Sequence, residues 1–396
     1  MSKPDPTSSL KLAVLAGEPS GDLLGAEIVA ALHQRLGPEG VELVGVGGEH
    51  LSAKGLNSLY PMETLSIMGI AEVLPRLREL LKIIRGSARE IAAAQPDIVL
   101  SIDSPDFGFR VQKKLAKALP NTPRVHMVAP TVWAWRAGRA KKVSRFLTHM
   151  LTLLPFEPPY FTAHGLTSHF VGHPALNRIP PQEKGSFRAA HNIAQEAPLL
   201  VVLPGSRMSE VSRLLEPFGQ VLAQVAAGLP ALRIVVPTVP NVEAAVRTGV
   251  ANWPGDPIVV MGDEARFAAF TDANAALAAS GTVSLELTIA NVPTVIAYKT
   301  AALTAFVVRR MVKVDYASLT NLLVAREVIP EFIQQDAKPD AIAAALLPLL
   351  QDDAAQAKQR AGFAEALAAL GKGQGNPAER AADILIDIWK EQTHEQ

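Results

Sequence analysis

Short apolar runs alternate with longer amphipathic stretches in two successive rounds along this 396-residue chain. Runs such as Leu12–Ala16 and Ile98–Ile102 are almost wholly apolar, which is typical of parallel strands that are buried on both faces. The stretch after the first run, Asp22–Leu36, repeats its apolar residues at helical spacing. The sequence therefore predicts an α/β fold of doubly wound parallel sheets.

A proline-containing segment with little periodicity, His173–Lys184, separates the two rounds. The second round begins with the apolar run Leu199–Leu203, and the alanine-rich tail from about Pro339 has a helical pattern. We predict two Rossmann-like domains that face each other across a cleft. Ligands of open parallel sheets bind beyond the carboxyl ends of the strands, so functional residues are expected at those ends.

Composition excludes several classes of function. Lys+Arg and Asp+Glu both number 38, so the chain has no net charge, which argues against a broad nucleic-acid-binding surface. The absence of cysteine excludes disulfides, iron–sulfur clusters, cysteine-ligated zinc and thiol nucleophiles. No apolar run reaches the roughly 20 residues that span a membrane. We therefore expect a soluble or peripheral protein of the cytoplasm.

Polar turns follow two predicted strands of the first domain. The turn Gly17–Asp22 lacks the G-x-G-x-x-G pattern of dinucleotide sites, and it is either a ligand-binding turn or an ordinary one capped by Ser20 or Asp22. Asp103 and Asp106 follow another strand. Asp106 is placed to cap the next helix, whereas Asp103 suits a general base, since a carboxylate beside a buried strand needs a partner or a function.

Two strand-to-helix turns of the second domain are typical of phosphate and nucleotide sites. Gly205 and Ser206 would expose backbone amides at a helix start, and Arg207 could neutralise a diphosphate. The stretch Ala279–Glu286 is a second turn of this kind. Its Glu286 could accept hydrogen bonds from a ribose diol, although a single glutamate on a helix is more often only solvated.

Two further segments of the first domain suit a lipid or sugar ligand. Tyr60–Arg89 interleaves apolar residues with arginine and lysine, which fits an interfacial membrane helix or a core helix with a solvated basic face. Val132–Arg136 holds two indoles and a cation that could stack on a sugar or serve as a packing anchor. A small excess of basic residues up to Ala175 indicates either an anionic partner for this domain or a chance variation in composition.

In this order, the motifs resemble those of the lipid-A-disaccharide synthase family. The matching stretches are Ala16–Ala26, Met68–Leu74, Ile102–Phe107, Val132–Arg136, Leu154–Glu157, Phe170–Pro174, Leu203–Arg207, Ala279–Glu286 and Ser318–Leu323. The resemblance implies an inverting transfer of 2,3-diacylglucosamine from UDP to 2,3-diacylglucosamine 1-phosphate (lipid X). The products would be UDP and the β(1→6) lipid A disaccharide 1-phosphate.

The resemblance also implies the domain plan of a GT-B glycosyltransferase. Residues 1–174 would form an acceptor-binding and membrane-facing domain, and residues 175–365 the UDP-sugar-binding domain. Helices over residues 366–396 would pack back on the first domain or on a partner subunit of a homodimer. The family works in the cytoplasm, peripherally on the inner membrane of Gram-negative bacteria, with no metal or other cofactor and no nucleic-acid partner.

Individual residues take expected roles from the same resemblance. Asp103 would be the catalytic base, with Glu18 as the second candidate. The remaining assignments are UDP binding by Gly205, Ser206, Arg207, Gly281, Thr282 and Glu286; acceptor or cleft contacts by Glu18, Ser20 and Asn321; and membrane contacts by Met68, Ile70, Leu74, Arg76 and Leu77. The family pattern favours proline before the asparagine, whereas this chain has Thr320, which predicts a looser loop.

Three alternatives remain open at this point. Another UDP-sugar enzyme of the same scaffold, such as a non-hydrolysing epimerase or a transferase with a water-soluble acceptor, would not bind membranes. A non-enzymatic nucleotide-sugar or lipid-carrier binding protein would tolerate loss of Asp103. A nicotinamide dehydrogenase is disfavoured because the G-x-G-x-x-G pattern is absent.

Overall fold

The structure is a computed structural model that describes residues 9–65, 70–279, 281–300 and 314–394, apart from the side chains of 70–77 and 394. The chain divides into two compact units. Residues 1–174 and 373–396 form the first unit, and residues 175–372 form the second.

The described residues of the first unit form a six-stranded sheet in the order β2-β1-β3-β4-β5-β6, and every pair is parallel. The strands are β1 (Leu10–Ala16), β2 (Val41–Val46), β3 (Ile98–Ile102), β4 (Arg124–Met127), β5 (His149–Thr152) and β6 (Thr167–Phe170). The helices between them are α1 (Pro19–Leu36), α2 (Glu49–Ser52), α3 (Ile70–Ala94), α4 (Pro105–Ala118), α5 (Gly138–Val143) and α6 (Pro158–Thr162).

The first strand shows why this sheet needs helices on both faces. Leu12 and Val14 belong to one apolar cluster with α1, whereas Ala13 and Leu15 belong to another with α3 and α4. Successive side chains of a strand point to opposite faces, so a wholly apolar strand must be covered twice. The continuous apolar runs in the sequence are the direct signature of this arrangement.

From Arg78 onward, α3 is a core helix with a basic outer face. Ile83, Ile84 and Ile91 are buried, while the positively charged residues of this part are exposed. Of the two alternatives for Tyr60–Arg89, the core helix with a solvated basic face is therefore the correct one for this part. None of the described helices is both long and apolar enough to cross a membrane.

The described residues of the second unit form another parallel six-stranded sheet, in the order β12-β11-β10-β7-β8-β9. Its strands are β7 (Leu199–Leu203), β8 (Arg233–Thr238), β9 (Ile258–Met261), β10 (Ala275–Ala278), β11 (Thr294–Tyr298) and β12 (Glu331–Ile333). Its helices are α7 (Ser186–Ala190), α8 (Met208–Gly228), α9 (Glu243–Val250), α10 (Asp263–Asp272), α11 (Val283–Ile289), α12 (Leu319–Val324), α13 (Pro339–Gln351) and α14 (Asp353–Ala369).

The last helix, α15 (Pro377–His394), returns to the first unit. Its Leu385 and Trp389 are buried in the same apolar cluster as α1. Arg35 of α1 donates two hydrogen bonds to the Asp383 carboxylate, which joins the two helices at the surface. The second unit ends at Lys372, seven residues beyond the expected boundary at 365.

Candidate functional site

The ends of β1 and β3 place polar side chains next to each other in the first unit. Ser20 Oγ donates a hydrogen bond to Asp103 Oδ2 at 2.9 Å. Asp103 and Ser104 both have left-handed backbones, with φ of 51° and 37°, a conformation that is strained for residues other than glycine. The half-buried Asp103 carboxylate therefore stands at a tight turn that directs it away from the strand.

Glu18 lies close enough to Asp103 for the two carboxylates to affect each other. Partial burial raises the pKa of Glu18, the negative charge of Asp103 raises it further, and a hydrogen bond with Ser104 partly offsets both effects. The charge of one carboxylate disfavours ionisation of a neighbouring one, which is the direction of the effect of Asp103 on Glu18. The structure thus brings together Glu18, Ser20 and Asp103, three of the residues predicted from the sequence.

Asp22 has a structural role that the sequence did not indicate. Its buried carboxylate accepts hydrogen bonds from the amides of Gly48, His50 and Leu51 at 2.7, 2.9 and 3.2 Å, and so satisfies the first amides of α2. The expectation that Ser20 or Asp22 caps α1 is wrong, because the N-cap residue is Glu18 and no side chain caps that helix.

The loop after β4 divides into an anchored indole and an exposed one. Trp133 Nε1 donates to Glu157 Oε1 at 3.1 Å, while the other oxygen of Glu157 accepts from the amides of residues 153 and 154. Burial raises the pKa of Glu157 to about 7, although these three hydrogen bonds oppose the rise. Trp133 is thus a packing anchor, whereas Trp135 is exposed and carries the Arg136 guanidinium 4.3 Å above its ring.

The described residues of the second unit line a cavity of about 290 Å³ at the carboxyl ends of β7 and β10. These strands are neighbours in the sheet, so the turns that follow them meet. The cavity is lined by every residue that the sequence predicts for UDP binding: Gly205, Ser206, Arg207, Gly281, Thr282 and Glu286.

The turn after β7 is shaped by a buried glutamate, Glu210, in the first turn of α8. Its Oε2 accepts from the Ser206 amide at 3.2 Å, and its Oε1 lies 3.5 Å from Arg207 Nη1. Gly205 has a φ of 119°, and a Cβ there would stand 2.6 Å from the Glu210 Cβ, so only glycine fits. Glu210 was not among the predicted site residues, and its only sequence signal is an acidic residue in the first turn of a helix.

Glu286 is paired with a cation that sequence reasoning also missed. Arg266 Nη1 lies 3.2 Å from Glu286 Oε2, and both side chains line the cavity. Burial raises the pKa of Glu286, the positive charge of Arg266 lowers it, and the negative charge of Asp263 raises it. Arg266 is an internal residue of α10 outside any recognisable motif, so no pattern in the sequence identified it.

Asn321 lies in the second unit with its side chain fully buried. Its Nδ2 donates to Ile329 O and to Glu331 Oε1, both at 2.8 Å. Its Oδ1 accepts from the amides of Val328 and Ile329 at 2.8 and 2.9 Å. Every donor and acceptor of this amide is therefore used inside the unit. Asn321 therefore holds the loop 325–331 in place. Its side chain has no free donor or acceptor left for the expected contact with the acceptor substrate.

Thr320, the residue that departs from the family pattern, is also buried. Its hydroxyl lies 2.7 Å from the hydroxyl of Thr288, so a hydrogen bond joins α12 to α11. This direct link corrects the expectation that threonine at this position loosens the loop.

Some predicted residues cannot be placed with their side chains. Met68 lies outside the described residues, and so do the side chains of Ile70, Leu74, Arg76 and Leu77, which belong to α3. Among the residues with described side chains, no three His, Asp or Glu residues are arranged to hold a metal ion.

Solved structures with this arrangement of two parallel sheets define the class of fold. A UDP-GlcNAc 2-epimerase from Neisseria meningitidis, solved with UDP-GlcNAc bound, matches with a TM-score of 0.62 at 12% identity, over 96% of this chain and 100% of that one. A calicheamicin glycosyltransferase matches with a TM-score of 0.57 at 18% identity, over 96% and 98% of the two chains. The protein has the GT-B fold.

Comparison of sequences then identifies the family. The family model described as Lipid-A-disaccharide synthetase matches residues 12–385. Lipid-A-disaccharide synthase from Rhodospirillum centenum is 47% identical, over 96% of this chain and 94% of that protein. The protein of the same name from Paramagnetospirillum magneticum is 46% identical, over 96% and 97%. The chain belongs to the lipid-A-disaccharide synthase family, and it is a glycosyltransferase of lipid A biosynthesis. The resemblance seen in the sequence is confirmed, and the epimerase, binding-protein and dehydrogenase alternatives are set aside.

Proposed function

We propose that this protein transfers 2,3-diacylglucosamine from UDP to the 6-hydroxyl of 2,3-diacylglucosamine 1-phosphate, with inversion at the anomeric carbon. The products are UDP and the β(1→6) lipid A disaccharide 1-phosphate. The observation that carries the proposal is the cavity at the carboxyl ends of β7 and β10, which gathers all the residues expected to bind UDP. Membership of the lipid-A-disaccharide synthase family supports the two lipid substrates.

The UDP site combines backbone amides, a cation and a carboxylate. The amide of Gly205 and the hydroxyl of Ser206, on the turn before α8, would face the diphosphate, and Arg207 would lie beside it. The Ser206 amide is already bound to Glu210. The Arg207 side chain is 73% exposed and its Nη1 lies 3.5 Å from Glu210 Oε1, a long contact from which the guanidinium could turn towards a ligand. Glu286 would accept hydrogen bonds from the ribose hydroxyls. Each group has the chemistry of one part of UDP.

In the reaction, the 6-hydroxyl oxygen of the acceptor bonds to the anomeric carbon as the bond from that carbon to the UDP oxygen breaks. The hydroxyl proton passes to a carboxylate, which we assign to Asp103 with Glu18 as the second candidate. Negative charge develops on the departing UDP, and Arg207 together with the helix amides would stabilise it. One base and one cationic site are sufficient for this displacement with inversion.

The first unit would bind the acceptor and the cytoplasmic face of the inner membrane. A diacylated phosphosugar in an anionic bilayer suits the apolar and basic residues that precede the core part of α3: Met68, Ile70, Leu74, Arg76 and Leu77. We expect the protein to float with vesicles that contain anionic phospholipid, and Leu74→Asp to reduce the floated fraction without changing UDP affinity. If Leu74→Asp floats as well as the unaltered protein, Leu74 does not contact the membrane. A homodimer that involves the C-terminal helix is the assembly proposed for the full chain, and light scattering tests it.

The decisive experiment measures UDP release from UDP-2,3-diacylglucosamine, with and without lipid X and with and without EDTA. We expect release only when both lipids are present, at an unchanged rate in EDTA. Release without lipid X would indicate hydrolysis, and loss of release in EDTA would show that a metal takes part. No release from a preparation that still binds UDP would contradict the proposed acceptor while leaving the nucleotide site in place.

A further inference from the structure

The cavity at the carboxyl ends of β7 and β10 contains two ion pairs, which differ in the exposure of their arginine. The pair of Arg207 with Glu210 has an arginine side chain that is 73% exposed, whereas the arginine of the Arg266–Glu286 pair is 26% exposed. An exposed arginine can move to meet a ligand, but a largely buried one is fixed by its surroundings. The two arginines of the cavity are therefore placed for different tasks.

Several contacts fix Arg266 where it is. Its Nη2 lies 3.1 Å from Asp263 Oδ1, and its guanidinium stacks 4.6 Å above the ring of Phe267. These contacts all come from α10, and only its Nη1 reaches across to Glu286 on α11, at 3.2 Å. Arg266 is thus held by its own helix, α10, and contacts the Glu286 carboxylate of α11.

The contact with Arg266 does not use all the hydrogen-bonding capacity of the Glu286 carboxylate. Within the described part of the chain, Glu286 Oε2 and Arg266 Nε are buried and have no hydrogen-bond partner, so the pair is an ionic contact without full hydrogen bonding. Buried polar atoms without partners are rare in proteins and point to a missing ligand or a functional role. A vicinal diol, which donates two hydrogen bonds, complements a carboxylate of this kind.

We propose that Arg266 is a positioning residue of the nucleotide site, which keeps Glu286 ionised and oriented to bind the ribose diol of UDP. The inference rests on the proposed function and assigns to that site a residue outside its sequence motifs. Arg266 itself need not touch the diol, since its effect passes through the Glu286 carboxylate.

The positive charge of Arg266 favours the ionised form of Glu286. Burial raises the pKa of Glu286 and so favours its neutral form, which would lose an acceptor for the diol. The charged groups that act on Glu286 within the described residues are Arg266 and Asp263, both on α10, and only Arg266 favours the carboxylate. The other charged groups lining the cavity, Arg207 and Glu210, form a pair of their own.

The test compares two nucleotides, UDP and 2′,3′-dideoxy-UDP, by calorimetric titration of the full chain. Replacing Arg266 with glutamine should weaken UDP binding about tenfold, equivalent to roughly 1.4 kcal/mol, and leave dideoxy-UDP binding unchanged. Equal losses for both nucleotides would overturn the proposal, because Arg266 would then act on the base or the diphosphate. Unchanged UDP binding would overturn it as well.

The pH dependence provides a readout that a purely structural role would not change. In Arg266→Gln, the preference for UDP over dideoxy-UDP should be lost at a higher pH than in the unaltered protein, because loss of the positive charge raises the pKa of Glu286 further. The ratio of the two affinities cancels the titration of the diphosphate itself. Arg266→Lys, which keeps a positive charge, should lose its preference at the same pH as the unaltered protein. A preference in Arg266→Gln that is independent of pH would contradict a role in ionising Glu286.

A matched control is available on α9 of the same unit. Arg247 is ion-paired with Glu243 at 2.8 Å and does not line the cavity, so Arg247→Gln should bind both nucleotides normally. If the unaltered protein fails to bind UDP at all, the proposed function fails and this inference fails with it. Normal UDP binding by the unaltered protein with no selective loss in Arg266→Gln would contradict this inference alone. If Arg266→Gln does not fold, Glu286→Gln should lose the same preference for the diol, and an unchanged preference would overturn the proposal.

Discussion

Ser20 Oγ donates a hydrogen bond to Asp103 Oδ2 at 2.9 Å, which joins the first turn of α1 to the left-handed turn after β3. A hydroxyl that donates to one carboxylate oxygen fixes the orientation of the other. In a general base, this orientation decides whether the second oxygen can meet the proton of the acceptor hydroxyl.

Removing the Asp103 carboxylate should abolish most of the turnover. We expect Asp103→Asn to lower kcat by about 100-fold or more, because general-base catalysis contributes on that order. UDP binding should be unaffected, since every residue that lines the described cavity belongs to the other unit. UDP release and calorimetric titration of UDP measure the two quantities.

Asp106→Asn is the matched control, because Asp106 is an exposed carboxylate three residues further along, in the first turn of α4. It should keep normal turnover. Near-normal turnover in Asp103→Asn would move the base to Glu18, and Glu18→Gln would then be the variant that loses activity.

The hydroxyl of Ser20 should matter for turnover and not for nucleotide affinity. We expect Ser20→Ala to lower kcat about fivefold, equivalent to about 1 kcal/mol for one hydrogen bond. Ser20→Thr should restore most of the rate, because threonine retains the donor. A lower UDP affinity in Ser20→Ala would instead place this side chain in contact with the donor substrate.

Glu157 should make the fold less stable as the pH rises. Its pKa of about 7 in the folded protein is above the unfolded value of 4.5, so the folded state binds the proton more tightly. This stabilisation is complete below about pH 4.5, is lost as the pH rises through about 7, and amounts to at most about 3 kcal/mol. Urea unfolding of the unaltered protein and Glu157→Gln, from pH 5 to 8, measures it as a difference between the two.

The comparison with Glu157→Gln is necessary because other groups titrate in the opposite sense. Burial lowers the pKa of His126 to about 3 and that of His149 to about 4, so both favour the fold at higher pH. These histidines are the same in both proteins and cancel in the difference. A difference in unfolding free energy that does not change with pH would show that Glu157 stays ionised through its bond with Trp133.

Asn321 should be important for stability. Asn321→Ala removes the acceptor of the amides of Val328 and Ile329 and one donor to the Glu331 carboxylate, and we expect a loss of about 3 kcal/mol or more in unfolding free energy. Asn241→Ala, which removes a single exposed hydrogen bond to Ser206 O, should lose about 1 kcal/mol or less. Full stability combined with loss of activity in Asn321→Ala would restore the ligand contact predicted from the sequence.

The strands were predictable because burial on both faces leaves a simple pattern. Ile98–Ile102 and Leu199–Leu203 have the bounds that their apolar runs predict. Helix starts were less predictable. Helical spacing in the sequence begins at Asp22, whereas α1 starts at Pro19, since proline suits the first helical turn without adding to an apolar stripe. The three-residue strand β12 was missed because it is short, half-buried and mixed in polarity.

In the site, too, residues that directly follow predicted strands could be predicted, whereas residues defined by side-chain contacts could not. Gly205 and Gly281 were predictable because both follow strands, and the carboxyl ends of neighbouring parallel strands meet. Arg266 and Glu210 depend on contacts between side chains whose geometry has no signature in the chain. Asn321 is a motif residue that was predicted to lie at the acceptor or the cleft, and its hydrogen bonds to the loop 325–331 could not be read from the sequence.

The packing of α15 on α1 has a consequence for the order of events during synthesis. The whole second unit is translated between α1 and α15, so the apolar surface of α1 that Leu385 and Trp389 cover has no partner while that unit is being made. Domains generally fold as they emerge, but this unit must wait for the ribosome to complete the other unit first. The nascent chain is therefore expected to expose the apolar surface of α1, and to need a chaperone to cover it, until α15 has been synthesised.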